Sequence, residues 1–321
     1  MVDDAPATRT WHIHLGAHKT ATTHLQDALS ARKDALQGDG VFYLPHAEAR
    51  PLLQFRDVPL SPLMRLRRRL AGETWWPDRA FGSARHARAC ATELVSVIGA
   101  RAETAHRVVL SEENLLGRLR SVFTGDYFAG SPRLNLLGDL ATRVPVHLYL
   151  AVRPLDTFLP SAYAQALRTL PADRLNFPET VARVQAHPPS WADLAQAICD
   201  RVPRAHLTIW EYGAYAAHGD AIRRLITGLP GDDDPSDPRP TRTLSPSARA
   251  IHLAEQLPEA DWTKRAARVE RIYGDHPRSD REGPHRPFDA AARARLQAAY
   301  RDDLARMARM PRVRVVQFGE A

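Results

Sequence analysis

The chain has 321 residues, 25% of them charged, with 44 Lys+Arg against 37 Asp+Glu for a formal net charge of +7. That length buries a large core, and α/β enzymes of this size are often one elaborated domain; the positive balance suits an anionic ligand without establishing one. Only Cys90 and Cys199 are present, with no metal-type spacing, so a disulfide framework or zinc site is not expected. No run reaches the ~18–20 apolar residues of a membrane span, and Met1 to Arg9 carries no apolar signal core. The expectation is a protein of the reducing cytoplasm.

In chain order, Ile13 and Leu15 alternate with His12 and His14 as in a strand, and a small-residue loop follows at once. From Thr22 the apolar positions Leu25, Ala28, Leu29 and Leu36 fit one helix face, ended by Gly38-Asp39-Gly40. Val41 to Leu44 reads as a second strand stopped by Pro45, and residues 46–83 as an irregular stretch. A helix from about Ala84 to Ala100 leads into a strand at Arg107 to Leu110 and a turn at Ser111 to Asn114. A helix near Ser131 to Thr142 precedes an apolar strand from Val144 to Val152. Pro154 stops that strand and opens a helix to about Thr169; a helix near Ser190 to Arg201 leads to a strand from Ala205 to Trp210. Strands alternating with helices predict an α/β fold, a parallel sheet with helices on both faces. After Gly228 comes a polar, proline-rich connector, Gly231 to Pro240, then helices near Ser245 to Gln256 and Ala290 to Met310, separated by Tyr273 to Phe288. The whole reads as a single domain over 1–321, with an α/β core of 10–228 and a C-terminal helical cap of 241–321 that could form a sub-domain.

The chemistry concentrates in Gly16-Ala17-His18-Lys19-Thr20-Ala21-Thr22-Thr23. A strand that runs into a tight loop opening a helix points backbone N–H groups and a positive helix end at one spot, and Lys19 adds an ammonium. Lys19 is one of only three lysines, with Lys33 and Lys264. The spacing departs from G-x-x-x-x-G-K-[ST] because the second glycine is missing. It resembles the 5′-phosphosulfate-binding loop of the PAPS-dependent sulfotransferases (PAPS being 3′-phosphoadenosine 5′-phosphosulfate), which in bacterial members often reads G-x-H-K-T-G-T-T-x-(L/I)-Q. Gly16, His18, Lys19, Thr20, Thr22, Thr23, Leu25 and Gln26 match, and Ala21 stands where the family usually has glycine. An alanine there implies a backbone that does not need positive φ.

A second window supports the first. Arg153 follows the apolar strand, and Ser161 lies eight residues later on the next helix. Strand C-termini line the crevice of a parallel sheet, where an arginine can grip a phosphate in bidentate fashion and a serine hydroxyl adds a donor. The pair, with the trailing Ser161-x-Tyr163-x-Gln165, resembles the 3′-phosphate-binding motif of the same family. The resemblance implies a P-loop-NTPase-like sheet and transfer of a sulfuryl group from PAPS to a hydroxyl or amine acceptor without a metal. It implies that Gly16 through Thr23 cradle the 5′-phosphate, that Lys19 stabilises the leaving oxygen, and that Arg153 and Ser161 bind the 3′-phosphate.

A hydroxyl acceptor also needs a general base, and two places can supply one: Glu112 or Glu113 after the strand ending at Leu110, and His46 or Glu48 after the strand ending at Leu44. The run Ser111-x-Glu113-Asn114 resembles a recurring bacterial S-x-E turn and favours Glu113, with His46 next. His18 either shapes the loop or donates to the sulfuryl oxygens. Arg65 to Arg69 with Trp75 and Trp76 suits an anionic or carbohydrate acceptor, or a basic helix face over packed tryptophans. Arg278, Arg281 and Arg286 lack the R-K-G run of the cytosolic members and are left outside the site. The acceptor, whether small molecule, carbohydrate, lipid or peptidyl, is not specified by the donor motifs. One alternative is a small-metabolite kinase using ATP and Mg, for which Lys19-Thr20 would serve but the missing glycine would not. The other is a non-catalytic nucleic-acid-binding protein, which would need a helix-turn-helix, zinc or RNP signature that this sequence lacks.

Overall fold

A computed structural model of the protein describes residues 9–54, 84–230, 245–258 and 261–318. The Arg65 to Arg69 cluster, Trp75, Trp76 and the connector at 231–240 lie outside the described residues. Six strands form one all-parallel sheet: β1 Thr10–His14, β2 Val41–Leu44, β3 Arg107–Ser111, β4 Val146–Val152, β5 His206–Glu211 and β6 Val313–Val315. Their order is β2-β3-β1-β4-β5-β6. The chain leaves β1 to one side for β2 and β3, then passes to the other side for β4. The C-terminal end of β1 is therefore a switch point, where open α/β sheets leave a ligand crevice.

The alternation in β1 sorts its side chains between two cores. Trp11, Ile13 and Leu15 enter the larger one with Val108, Leu110, Leu148, Leu150, Val152, Leu207 and Ile209. That face is covered by helices from the middle and end of the chain. In order these are α3 His46–Gln54, α4 Ala84–Arg101, α5 Ser121–Thr124, α6 Leu134–Leu140, α7 Leu155–Ala166, α8 Phe177–Ala186 and α9 Trp191–Arg201. The opposite face, with Val109, Tyr149, Ala151 and Trp210, packs against Leu25 and Leu29 of α1 Thr22–Ala31 and Leu36 of α2 Lys33–Gly38. It also meets Ile222 and Ile226 of α10 Tyr215–Thr227. His12 and His14 point to this second face and are buried too. His12 Nδ1 lies 2.7 Å from the Tyr149 hydroxyl, which donates to Leu225 O at 2.8 Å; a satisfied histidine can be buried neutral.

Three further helices follow: α11 Ala248–Glu255, α12 Trp262–Asp275 and α13 Ala290–Ala308. Ser247 and Asp289 cap α11 and α13 by accepting from Ala250 N at 3.1 Å and Ala292 N at 2.7 Å. Arg265 of α12 is fully buried and donates to Leu167 O at 2.7 Å, Leu257 O at 2.7 Å and Ala254 O at 3.1 Å. Its guanidinium thus joins the C-terminal carbonyls of α7 and α11, groups a helix cannot pair by itself. Asp303 of α13 accepts from Trp191 N at 2.7 Å, fastening the last helix to α9. Among the described residues no helix is long and apolar enough to cross a membrane.

Several expectations change. The helix from Thr22 breaks at Arg32, whose φ of −106° and ψ of 12° separate α1 from α2; the period carried through because Leu36 returns to the same core. Part of the stretch expected to be irregular forms α3, and α8, α10 and α12 were not anticipated. The C-terminal segment is not purely helical. It ends in β6, whose neighbours place Leu207 N against Arg312 O at 2.9 Å and Val316 N against Ile209 O at 2.8 Å. Three residues carry too short a pattern to announce a strand; α13 delivers them to the sheet edge.

Candidate functional site

Beyond β1 the backbone continues along β4, with Leu15 N bonded to Tyr149 O at 2.8 Å and Ala17 N to Ala151 O at 3.1 Å. Gly16 then turns at φ +93°, and a Cβ there would lie 3.0 Å from the Glu113 Cβ. The position needs glycine on both counts. Lys19 and Ala21 also adopt positive φ, 61° and 64°. The expectation for Ala21 is therefore corrected: the loop does require a left-handed residue there, and the alanine bears a cost of about 1–2 kcal/mol that glycine would avoid. Ala21 is also the N-cap of α1 and makes no side-chain cap bond, so the first N–H groups of α1 have no partner in their own helix. A positive helix end opens at the sheet's switch point.

The threonines divide by role. Thr20 Oγ1 donates to Ala17 O at 2.6 Å and Thr22 Oγ1 to the same carbonyl at 3.1 Å, closing the loop on itself. Thr23 is exposed on the first turn of α1. Gln26, the last matched residue, donates to Ser111 O at 3.0 Å and fastens α1 to β3.

Lys19 and Arg153 meet. Arg153 Nη1 donates to Lys19 O at 2.9 Å, its Nε donates to Thr157 Oγ1 at 3.1 Å, and its guanidinium lies 4.6 Å from the centre of the Tyr212 ring. Trp191 Nε1 donates to Arg153 O at 2.8 Å and anchors the strand end. Burial pulls the Arg153 pKa down from its usual value, yet a guanidinium stays charged in proteins. Lys19 Nζ donates to Gln165 Oε1 at 3.4 Å, an oxygen that also accepts from Arg168 Nη1 at 2.5 Å. Arg168 in turn pairs with Glu270 of α12 at 2.9 Å. Burial, then Arg168 and Arg153, push the Lys19 ammonium down to about 8, against the opposing pull of Glu113 and Glu270. The crevice is thus a half-buried cluster of cations short of counter-charge, which an anionic ligand would supply. Ser161 is half-buried on α7, one turn beyond Thr157 and on the same face.

The acidic candidates separate cleanly. Glu112 is 1% exposed and its oxygens are occupied: Oε1 accepts from Asn114 N at 3.0 Å, and Oε2 from Arg50 Nε at 3.0 Å. It is a cap of the 3-10 turn Glu113–Leu116. Glu48 is bonded by Arg101 and by Lys33 at 3.3 Å, and Arg101 foremost holds its carboxyl below the ordinary range. His46 opens α3, with its Nδ1 enclosed and unpartnered. Glu113 stays partly open and packs over Gly16. Burial pushes its carboxyl up, but His18, Arg50 and His14 together outweigh that and hold it below the usual carboxylate value. The result is an ionised, accessible carboxylate at the crevice.

No family model and no curated protein matches the chain. The reading of the site therefore stands on its residues and their geometry. Lys19, Arg153, His18, Glu113 and the open end of α1 are brought to one place, and Glu112 and Glu48 are engaged elsewhere. Thr157, Tyr212 and Arg168 were missed. For Thr157 a signal existed, since it is four residues after Arg153 and four before Ser161 on one helix face. For Tyr212, just past β5, there was none. Among the described residues no group of three or more His, Cys, Asp or Glu side chains is placed to hold a metal ion.

Proposed function

We propose that the protein transfers a sulfuryl group from PAPS to a hydroxyl acceptor, on a sheet of the P-loop-NTPase type. The observation that carries the reading is the direct contact of Arg153 with the Lys19 backbone at the switch point, which joins two segments 134 residues apart that suit the two phosphates of a bisphosphate. PAPS supplies the activated sulfuryl group and a phosphate leaving group. The open amides of α1 and the exposed Thr23 hydroxyl suit the 5′-phosphate. Arg153, Thr157 and Ser161 suit the 3′-phosphate, with the Tyr212 ring limiting the swing of the guanidinium. Lys19 stabilises negative charge that develops on the bridging oxygen, in a crevice where such stabilisation is stronger than in water. Glu113, ionised and accessible, accepts the hydroxyl proton. Positioning and charge carry the reaction, as in other in-line transfers.

Calorimetric titration tests the donor. The protein should bind adenosine 3′,5′-bisphosphate without metal and more tightly than ATP with magnesium; the reverse order would overturn the reading in favour of a kinase. With labelled PAPS and a panel of carbohydrate, lipid and small aromatic hydroxyls, Glu113→Gln should lower kcat by about 10²–10⁴ while bisphosphate affinity stays within about threefold.

A further inference from the structure

The Lys19 ammonium is held from outside its own loop. Gln165, near the C-terminal end of α7, accepts from Lys19 Nζ at 3.4 Å and, on the same Oε1, from Arg168 Nη1 at 2.5 Å. Both neighbours are donors with no acceptor atom, so the amide oxygen, and not the amide nitrogen, faces them. Gln165 and Arg168 lie three residues apart at the last turn of α7, where Arg168 N donates to Gln165 O at 3.3 Å; residues at that spacing share a helix face. Arg168 is braced in turn by α12. Its Nη2 donates to Glu270 Oε2 at 3.3 Å, its Nε lies 2.9 Å from Glu270 Oε1, and its guanidinium stands 5.5 Å from the centre of the Tyr273 ring. The Tyr273 hydroxyl donates to Ala164 O at 2.8 Å, which ties α12 to the same turn of α7. A file of contacts thus runs from the C-terminal helices through α7 to the loop lysine.

We propose that Gln165 is the positioning residue of Lys19, and that α12, through Arg168, keeps the Gln165 amide turned for that task. The inference rests on the sulfotransferase reading. A lysine carries its charge on a flexible four-carbon stem, and the ammonium stabilises the bridging oxygen only when held where negative charge develops. An amide oxygen restrains the ammonium without neutralising it; a carboxylate in the same place would form an ion pair that the leaving phosphate has to displace. Arg168 supplies the second half of the device. Without its Nη1 on the amide oxygen, Gln165 would be free to turn its NH₂ towards the ammonium, and the contact would become repulsive. The charged groups that act on Lys19 are Arg168 just past α7, Arg153 at the end of β4, Glu113 of the 3-10 turn after β3, and Glu270 of α12. Arg168 therefore acts on Lys19 in two opposite senses. Its charge disfavours the ammonium, while its hydrogen bond orients the amide that favours it, and this opposition makes the two roles separable.

The chain has only the lysines Lys19, Lys33 and Lys264, so ¹³C-lysine labelling of the full-length protein gives three side-chain signals, and Lys19 is assigned by its loss in Lys19→Met. In ligand-free Gln165→Leu, Lys19 should titrate at least about half a pH unit lower, because a hydrogen bond to its charged form is gone. Turnover needs the charged lysine, so the basic limb of kcat/KM, which reports the free enzyme, should move down by the same amount. At pH 7 kcat should fall about tenfold or more, with bisphosphate affinity within about threefold. Gln165→Glu keeps the acceptor and adds charge, so Lys19 should titrate at least about half a unit higher while kcat still falls, the carboxylate competing with the leaving phosphate. Arg168→Met separates orientation from charge: Lys19 should titrate higher because a nearby cation is gone, yet kcat should drop about threefold or more because the amide is no longer held. An unmoved Lys19 titration in Gln165→Leu, or a moved one with unchanged kcat, would refute the role of Gln165. Undiminished kcat in Arg168→Met would refute the role of α12. Should either variant fold poorly, Gln165→Glu and Arg168→Leu decide by the same criteria. A wild type that binds no bisphosphate would sink the sulfotransferase reading, and the Lys19 titrations of the free protein would still uphold or refute the Gln165 contact.

Discussion

Replacing Lys19 by methionine should make the ligand-free protein more stable while disabling it. The ammonium is pushed down to about 8 from 10.5 by burial and by Arg168 and Arg153. A base whose folded pKa lies below its unfolded value costs stability wherever both states are charged, here below pH 8. The cost fades as pH climbs from 8 towards 10.5, where the unfolded chain also loses its proton. At about 1.4 kcal/mol per pKa unit, the shift corresponds to roughly 3 kcal/mol. Lys19 is only half-buried, so solvent screening reduces that figure. The variant also forfeits the Gln165 hydrogen bond, worth about 0.5–1.5 kcal/mol. A net gain of about 1–2 kcal/mol at pH 7 remains. Urea unfolding without ligand should show a higher midpoint at unchanged slope, the gain shrinking at pH 10, and turnover should fall roughly 10²–10³-fold. A variant less stable than wild type at pH 7, or a gain that persists undiminished at pH 10, would refute the placement of Lys19 among cations that Glu113 and Glu270 only partly compensate.

The other site residues give sharper, smaller tests. Arg153→Ala removes a charge-assisted phosphate contact worth about 1.5–3 kcal/mol, so affinity for adenosine 3′,5′-bisphosphate should fall roughly 10- to 100-fold. Because Arg153 also supports the Lys19 carbonyl at 2.9 Å, adenosine 5′-monophosphate should lose affinity too, but by less than about threefold; equal losses would make the arginine structural only. Gly16→Ala forces a side chain into φ +93° and to within 3.0 Å of the Glu113 Cβ. It should cost about 1–3 kcal/mol in thermal or chemical unfolding, and a fully stable variant would contradict the loop geometry.

Local pattern was enough for much of this protein. Period-2 alternation at Ile13 and Leu15 and the apolar runs at Val41, Val108, Leu148 and Leu207 announced five strands of a parallel sheet, since each needs only its own buried face to be recognised. Gly16, Lys19 and Arg153 were legible because a loop after a strand and an arginine after a strand are local events with a known relation to the crevice of such a sheet. What sequence could not decide depended on groups distant along the chain. The loop's path along β4 and its packing under Glu113, 97 residues away from Gly16, hold Ala21 in the left-handed region against its own preference. Glu112 and Glu113 are neighbours of identical chemistry, and Arg50 and Asn114 alone make one a cap and leave the other open. β6 is a strand only because α13 lays it beside β5. Tyr212 matters only because the parallel register of β4 and β5, with Val152 opposite Glu211, brings its ring under the Arg153 guanidinium. Local patterning determined which elements exist and where charge collects; the meeting of remote segments determined which of those charges face the crevice, because burial and hydrogen-bond satisfaction are set by whatever the folded chain brings within a few ångströms.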